Sequence, residues 1–296
     1  MNPESWMSKL DSNLAKRPIN YLHIPGSHDS FTCDITENSD IGPDVRPLSL
    51  LFMKLTRYLG KKFLKYWLIT QNCNATDQLK KGVRYFDLRV GRNLDFYITH
   101  QLFSGKLSMY LNEISMFLNE NPKEVVLLDF NHIYLNEDEH EMLTQLIIKI
   151  FGDKIAPRCD YNEIPSLETL GQHSHQVLIF YHRTETINEK FWPGGDIPSY
   201  WPNTTDINQM VQYLETSLGK KVKTKFHISQ GILTPTWKTI VFHPFSSLEN
   251  FLAYKSSQAV LEWLEGLQEF GKTNLNIVIV DFAKPNLIDK IIKMNK

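Results

Sequence analysis

Short apolar runs alternate along the chain with longer segments in which apolar residues recur at helical spacing. The runs have the composition of β-strands and cover 19–24, 83–90, 95–100, 124–130, 176–181, 238–243 and 276–282. Amphipathic segments lie between them at 76–81, 105–120, 137–151, 206–218, 247–268 and 286–293. Several of the runs are continuously apolar and rich in Val, Ile and Leu, which is typical of a parallel sheet buried on both faces.

Strand followed by helix, repeated over 296 residues, predicts an α/β barrel that forms one domain over 1–296. A doubly wound open sheet is the alternative architecture. The first strand is followed by "GSHDSF" where a dinucleotide-binding fold would have its glycine-rich loop, so we predict no nucleotide or other cofactor.

Composition narrows the choice of partner and compartment. The formal net charge is -1, which gives no overall attraction to nucleic acid. Cys33, Cys73 and Cys159 are widely spaced, so zinc-ribbon and thioredoxin-like sites are excluded and a reducing compartment is favoured. The sequence shows no apolar run long enough for a signal peptide or a membrane span, and we expect a cytoplasmic protein.

Polar residues occur where the predicted strands end, which is where barrel enzymes carry their chemistry. A single polar residue at a strand end is expected because strand ends meet solvent. Polar residues at the ends of several strands favour a functional site. The residues concerned are His28, Asp29, Asp87, Arg89, His100, Asp129, Arg183 and Asp281.

Two features of these residues suggest phosphodiester chemistry. Asp87 and Arg89 lie on the same face of a strand, where a guanidinium held by a carboxylate can clamp a phosphate; a structural ion pair is the alternative. His28 and His100 could divide the work of general base and general acid. We interpret five further histidines as mostly surface or structural: His132, His140, His173, His175 and His182.

A divalent metal is the competing possibility for the same strand ends. Asp29, Asp87, Asp129 and Asp281 could supply oxygen ligands to a hard cation. Arg89 would repel that cation and could replace its charge, so we predict no metal.

Three blocks of this sequence resemble the X domain of phosphatidylinositol-specific phospholipase C: "IPGSHDS", "VRYFDLRV" followed by "YITHQLFSGKL", and "NPKEVVLLDF". The resemblance extends from about residue 15 to about residue 290 and is greatest to the small eukaryotic X-domain-containing proteins. It implies a distorted TIM barrel and metal-independent cleavage of phosphatidylinositol lipids to diacylglycerol and a cyclic inositol phosphate.

The resemblance also implies a role for each matching residue. His28 resembles the general base, which Asp281 would orient. His100 resembles the general acid, which Asp29 would support. Arg89 resembles the arginine that contacts the phosphate in bacterial-type enzymes, and Asp87 matches the acid two residues before it.

The positions expected to contact substrate match less closely. Arg183 resembles an inositol-contacting arginine, and Trp201 is our choice for the aromatic residue that stacks on the inositol. After "EVVLL", bacterial-type enzymes have a lysine near the phosphate, whereas this chain has Asp129. Loss of that positive charge implies either low activity or a metal recruited through Asp129.

A basic apolar insertion at about 43–70 precedes the second strand. Within it, "MKLTRYLGKKFLKY" has no acidic residue and contains Lys54, Arg57, Lys61, Lys62 and Lys65. Such a segment can dock on an anionic membrane. A helix packed on the barrel with a solvated basic face is the alternative.

The leading hypothesis is therefore a phosphoric diester hydrolase of the phosphatidylinositol phospholipase C type that contacts membranes peripherally. One alternative is an inositol-lipid binding or scaffold domain with weak or no turnover. The other is a metal-dependent glycerophosphodiester phosphodiesterase.

Overall fold

The structure is a computed structural model that describes residues 2–56, 58–183, 188–269 and 274–295. Its strands are β1 (Ile24–Ser27), β2 (Tyr85–Asn93), β3 (Asp95–His100), β4 (Leu102–Lys106), β5 (Val126–Tyr134), β6 (Val177–Tyr181), β7 (Trp192–Pro193), β8 (Ile228–Gln230) and β9 (Ile277–Val280). Its α-helices are α1 (Ser12–Ala15), α2 (Pro47–Thr56), α3 (Tyr58–Leu68), α4 (Ala75–Lys80), α5 (Leu107–Glu120), α6 (Glu137–Phe151), α7 (Leu167–Gln172), α8 (Ile207–Gly219), α9 (Trp237–Phe242), α10 (Tyr254–Glu269) and α11 (Pro285–Lys293). A π-helical turn at Glu249–Ala253 leads into α10.

The strands form one curled sheet in the order β7-β6-β5-β2-β1-β9-β8, and all neighbours in this order are parallel. β3 and β4 extend the sheet from β2 as an antiparallel hairpin. The order ends at β7 and β8 within the described residues, so the sheet curls as a half-barrel. The prediction of an α/β barrel of distorted TIM type is confirmed.

The central strands form because their residues are apolar on both faces. Every residue of β6 and β9 is buried between the helices and the barrel interior. Burial of about 25 cal/mol per Å² of apolar surface makes this packing the main source of stability. The same strands place their carboxyl ends, and the polar residues that follow them, at one end of the sheet.

Two of the predicted strands are wrong. Residues 238–243 lie mostly in α9, which begins at a capping box between Thr236 and Thr239. Residues 19–24 begin with a 3-10 turn at Ile19–Tyr21 and only Ile24 belongs to β1.

Pro25 and Gly26 lie within β1, although a Pro-Gly pair is typical of a turn. A Cβ atom on Gly26 would lie 2.7 Å from both Tyr85 Cδ1 and Ile279 Cγ2. The glycine is needed because β1 packs closely between its two neighbouring strands.

Arg84, which is fully buried just before β2, is explained by a buried ion pair. Its Nη2 donates to Glu124 Oε2 at 2.8 Å and to the Glu4 carbonyl at 2.7 Å, and its Nη1 donates to the Leu79 carbonyl at 2.8 Å. The guanidinium thereby ties the N-terminal segment to the amino-terminal end of the sheet, opposite the functional strand ends.

The predicted insertion folds as α2 and α3, which pack side by side next to the barrel. None of the helices in the described residues has the length and apolar character required to cross a bilayer.

Candidate active site

A cleft of about 250 Å³ opens at the carboxyl ends of the central strands. It brings together residues that lie up to about 250 positions apart in the sequence. Among the residues predicted from sequence, its walls contain His28, Asp29, Asp87, Arg89, His100, Trp201 and Asp281.

His28 follows β1 directly, and contacts with Asp281 and Gln71 fix its ring and its backbone. Its Nδ1 lies 2.7 Å from Asp281 Oδ1, at the end of the neighbouring strand β9. Gln71 donates through Nε2 to the carbonyl oxygens of His28 (3.0 Å) and Val280 (2.9 Å), which joins the two strand ends. The contact with Asp281 places the Nδ1 proton on that side and leaves Nε2 facing the cleft.

Asp29 is at the centre of the charged cluster. Its backbone adopts a left-handed conformation with φ of 41°, which turns the side chain away from the line of the strand. Its Oδ2 lies 3.5 Å from His28 Nε2 and 3.4 Å from His100 Nε2, and its Oδ1 pairs with Arg89 Nε. One carboxylate therefore contacts both histidines and the arginine.

The sequence predicted that Asp87 orients Arg89, but the structure pairs that guanidinium with Asp29. Asp87 instead accepts a hydrogen bond from the Asp29 backbone N–H at 3.1 Å and one from Asn131 Nδ2 at 3.4 Å. Asp87 thus holds the Asp29 backbone in place and contributes negative charge beneath it.

His100 reaches the cluster because β3 runs antiparallel to β2, with Val90 opposite Ile98. Its Nδ1 lies 2.7 Å from the Leu68 carbonyl oxygen, at the end of α3. A carbonyl only accepts, so Nδ1 carries a proton and Nε2 points at Asp29. Both histidines are thus fixed with Nε2 toward the same carboxylate.

The pKa values of the cluster follow from burial opposed by charge. Burial would lower the pKa of His28, but the Asp29 and Asp281 carboxylates outweigh it and raise this pKa from 6.5 to about 9. Burial would raise the pKa of Asp29, but Arg89, His28 and His100 hold it well below its usual range. Asp29 is therefore ionised and His28 is protonated at neutral pH in the absence of ligand.

A divalent cation would fit this cluster poorly. Among the described residues, His28, Asp29 and Asp87 each offer a ligand atom, and these atoms lie within 4.8 Å of one another. Asp29 Oδ1 is already paired with Arg89, whose fixed positive charge would lie next to the metal. Metal-independent chemistry therefore stays our prediction.

The structure does not bring Asp129 to the cleft, which corrects its proposed place near the substrate. Its side chain is fully buried beneath the cleft, where Oδ2 accepts a 2.6 Å hydrogen bond from the Tyr85 hydroxyl. Its Oδ1 lies 2.8 Å from His182 Nε2, so His182 has a buried partner. With both oxygens occupied, Asp129 is not placed to recruit a metal to the cleft.

Arg183 also lies outside the cleft, contrary to our expectation of an inositol contact. Arg183 follows the end of β6, and its Nη2 pairs with Glu137 at the start of α6. Trp201 does line the cleft and is 43% exposed at its rim. Its stacking on the inositol stays a prediction.

Sequence reasoning missed His132, which we had interpreted as surface or structural. The pairing of β2 with β5 shifts register between Leu88 and Arg89, so that Arg89 lies opposite His132 and Asn131 is the extra residue. The bulge places Asn131 and His132 on the cleft wall. Burial and the nearby Arg89 charge lower the pKa of His132, so this ring does not supply the missing positive charge. Arg46, on the exposed rim, is a cation that the sequence pattern did not indicate.

Comparison with known proteins agrees with this geometry. Residues 54–183 match the family model for the phosphatidylinositol-specific phospholipase C X domain. The chain is 39% identical to mouse PI-PLC X domain-containing protein 2, covering 96% of this chain and 84% of that protein. It is 38% identical to human PI-PLC X domain-containing protein 3, covering 98% and 92% respectively.

A solved structure supports the fold in the same way. The phosphatidylinositol-specific phospholipase C from Listeria monocytogenes superposes with a TM-score of 0.73 at 24% identity, over 100% of both chains. The sequence relatives and this barrel agree over nearly the full length. The chain therefore belongs to the family of proteins that carry a phosphatidylinositol-specific phospholipase C X domain.

Proposed function

We propose that this protein is a metal-independent phosphoric diester hydrolase that cleaves phosphatidylinositol-type lipids. The observation that carries the proposal is the contact of one ionised carboxylate, Asp29, with His28, His100 and Arg89 in an open cleft. Two proton-transfer groups and one phosphate-binding cation are the set required to cleave a phosphodiester by an internal hydroxyl.

In the proposed reaction, the inositol 2-hydroxyl attacks the phosphorus atom and loses its proton to His28 Nε2. The bond from phosphorus to the diacylglycerol oxygen breaks, and His100, acting as an imidazolium with a proton on each ring nitrogen, gives that oxygen its Nε2 proton and keeps the Nδ1 proton that faces the Leu68 carbonyl. The products are diacylglycerol and a cyclic inositol phosphate. Arg89 offsets the negative charge that develops on the phosphoryl oxygens, while Asp29 keeps its guanidinium in place.

Asp281 has two effects on this step. Its carboxylate stabilises the imidazolium that His28 becomes on accepting the proton. It also contributes to the raised pKa of His28, so that only a small fraction of the free protein has a neutral base at pH 7. On the acidic side of the pH profile, turnover should therefore rise as His28 loses its proton.

The proposed substrate is a membrane lipid, and the cleft entrance has a surface suited to it. Trp67 and Leu68 of α3 and Ile240 of α9 line the cleft, so both helices border the entrance. Large apolar side chains on α2, on α3, at the end of α9 and just after α9 are exposed: Leu48, Leu51, Leu55, Tyr58, Leu59, Tyr66, Phe242 and Phe245. We propose that this apolar rim inserts into the membrane interface in a cytoplasmic, peripheral mode.

The lysines of the insertion contribute unequally to that contact. Lys61 Nζ donates to the Ser39 carbonyl at 2.7 Å, and Lys65 Nζ pairs with Glu37 at 2.5 Å. Lys54 and Lys62 are exposed, and Arg57 lies outside the described residues.

A vesicle-binding assay measures how much the exposed lysines contribute to the membrane contact. Removing Lys54 and Lys62 together should weaken binding to anionic vesicles at low salt by about 2 kcal/mol, or about 30-fold. The exposed Lys123, on the far side of the barrel, is the control position, and Lys123→Ala should bind as the wild type does. Equal binding by the Lys54/Lys62 double variant would contradict the proposed contact.

The activity itself is tested with phosphatidylinositol in mixed micelles, with and without excess chelator. The proposal requires a cyclic inositol phosphate as the first soluble product, at a rate that the chelator leaves unchanged. Loss of turnover in chelator would favour the metal-dependent phosphodiesterase. Lipid binding with no product after long incubation would favour the binding or scaffold domain.

A further inference from the structure

A second cavity, of about 350 Å³, lies beside β8, between the end of α8 and the segment that precedes that strand. We call it the lysine pocket. Its walls include two tyrosines, three lysines and a histidine: Tyr200, Tyr213, Lys220, Lys221, Lys225 and His227. None of the cleft residues described above belongs to it.

The charge of the lysine pocket is entirely positive. Its walls contain three lysines and, among the described residues, no Asp or Glu. Lys221 is partly buried, and its Nζ donates to the Asn20 carbonyl at 2.8 Å and lies 5.3 Å from the centre of the Tyr21 ring. Both contacts are with neutral groups, so the ammonium has no counter-charge among its described neighbours.

A buried charge without a counter-ion is unfavourable, and the pKa values of Lys221 and of the groups near it show this effect. Burial lowers the pKa of Lys221 to about 8. Burial, with the nearby Lys221 charge, also lowers the pKa values of His23 and His227 to about 4. His227 Nε2 is buried and, within the part of the chain that the structure describes, has no hydrogen-bond partner.

We propose that the lysine pocket binds a small phosphate-bearing anion. Lys221 would supply the central positive charge, Lys220 and Lys225 would supply charge at the entrance, and His227 Nε2 would offer a hydrogen bond. Ammonium groups bind phosphate oxygens as point charges, and one bound anion would neutralise the charge that the protein leaves uncompensated. Tyr200 and Tyr213 give the remainder of such a ligand two aromatic surfaces.

The position of the lysine pocket connects it to the cleft. Pro198 and Tyr200 line the lysine pocket, whereas Ser199 and Trp201 line the cleft. Residues 198–201 are therefore a wall shared by the two cavities. An anion in the lysine pocket would contact this wall directly opposite the rim of the proposed active site.

The test is a calorimetric titration of the intact protein with inorganic pyrophosphate. His28→Ala and Arg89→Ala variants identify any binding that belongs to the cleft, and the lysine-pocket event should persist in both. Lys221→Met should weaken that event by about tenfold or more, equivalent to about 1.4 kcal/mol. The control Lys123→Ala should bind as the wild type does.

Lys221→Met could fail to fold, so a second variant keeps the test decisive. Lys220→Ala combined with Lys225→Ala changes side chains at the pocket entrance and should also weaken binding. Titration with phosphatidylcholine vesicles containing phosphatidic acid distinguishes a lipid phosphate from a soluble one. Binding of pyrophosphate or of these vesicles supports the site if it requires Lys221 or the Lys220/Lys225 pair. Absence of pyrophosphate and vesicle binding, or binding that is equal in all lysine variants, would overturn it.

Discussion

Replacing Asp281 by Asn removes a charge while leaving an oxygen acceptor next to His28 Nδ1. The pKa of His28 rises from 6.5 to about 9, which corresponds to about 3 kcal/mol of preference for the protonated ring. Asp29, Asp281 and Asp87 contribute to this rise against the effect of burial. Loss of one of the two nearest carboxylates should lower the pKa by about 1, or about 1.4 kcal/mol.

This change should shift the pH dependence of turnover to lower pH and should also reduce the maximum rate of turnover. With a pKa of about 9, about 1% of His28 is neutral at pH 7, and with a pKa of about 8 the fraction is about 10%. The acidic limb of kcat/KM, on which His28 loses its proton, should therefore move to lower pH in Asp281→Asn. The plateau should fall by about tenfold, because the imidazolium formed during attack loses about 1.4 kcal/mol of stabilisation by the carboxylate.

Two assays check this reasoning, and one of them does not depend on activity. NMR titration of the His28 ring gives its pKa directly in both proteins, while kcat/KM from pH 5 to about 10 gives the kinetic limb. A His28 pKa that is unchanged in Asp281→Asn would refute the electrostatic explanation.

The same pKa has a consequence for stability. The folded-state value is raised above the unfolded value, so protonated His28 stabilises the fold fully below about pH 6.5. This contribution is lost as the pH rises through about 9. The difference in unfolding free energy between wild type and Asp281→Asn should be largest below pH 6.5 and should narrow toward pH 9.

Three other substitutions test the framework of the barrel by denaturant unfolding. Tyr85→Phe removes the donor to buried Asp129 and should cost about 1–3 kcal/mol, with kcat little changed; an unchanged stability would contradict the buried pairing. Arg84→Met leaves Glu124 unpaired and should cost about 3–5 kcal/mol, and Arg84→Met with Glu124→Leu should recover part of that loss. Gly26→Ala should cost about 1–3 kcal/mol by overpacking β1, and a neutral result would show that the neighbouring strands can separate.

The strands of the barrel could be predicted from the sequence where burial alone determines that a segment is a strand. The continuously apolar runs that became β5, β6 and β9 are long enough and rich enough in Val, Ile and Leu to be recognised. The run 238–243 contains three consecutive apolar residues, at 240–242, yet it is helical because Thr236 caps its first turn. Short apolar runs do not distinguish a strand from a helix, and β8, with three residues, gave no signal at all.

For the candidate site, the sequence located most of the residues but not all of the contacts between them. Strand ends predicted that His28 and Arg89 would lie near each other, since parallel strands end at the same edge. His100 reaches them by another route, through the antiparallel strand β3. The pairing of Arg89 with Asp29 depends on the left-handed backbone at Asp29, which no pattern of residue types reveals. The place of His132 depends on a bulge between β2 and β5, which is a property of the paired strands.

The most direct test of the proposed chemistry is the rate of phosphatidylinositol cleavage in mixed micelles for wild type, His28→Ala and His100→Ala, all in excess chelator. We predict that the wild type releases diacylglycerol and a cyclic inositol phosphate and that each variant loses this activity while keeping its folded stability within about 3 kcal/mol. Wild-type turnover in both variants would contradict the account.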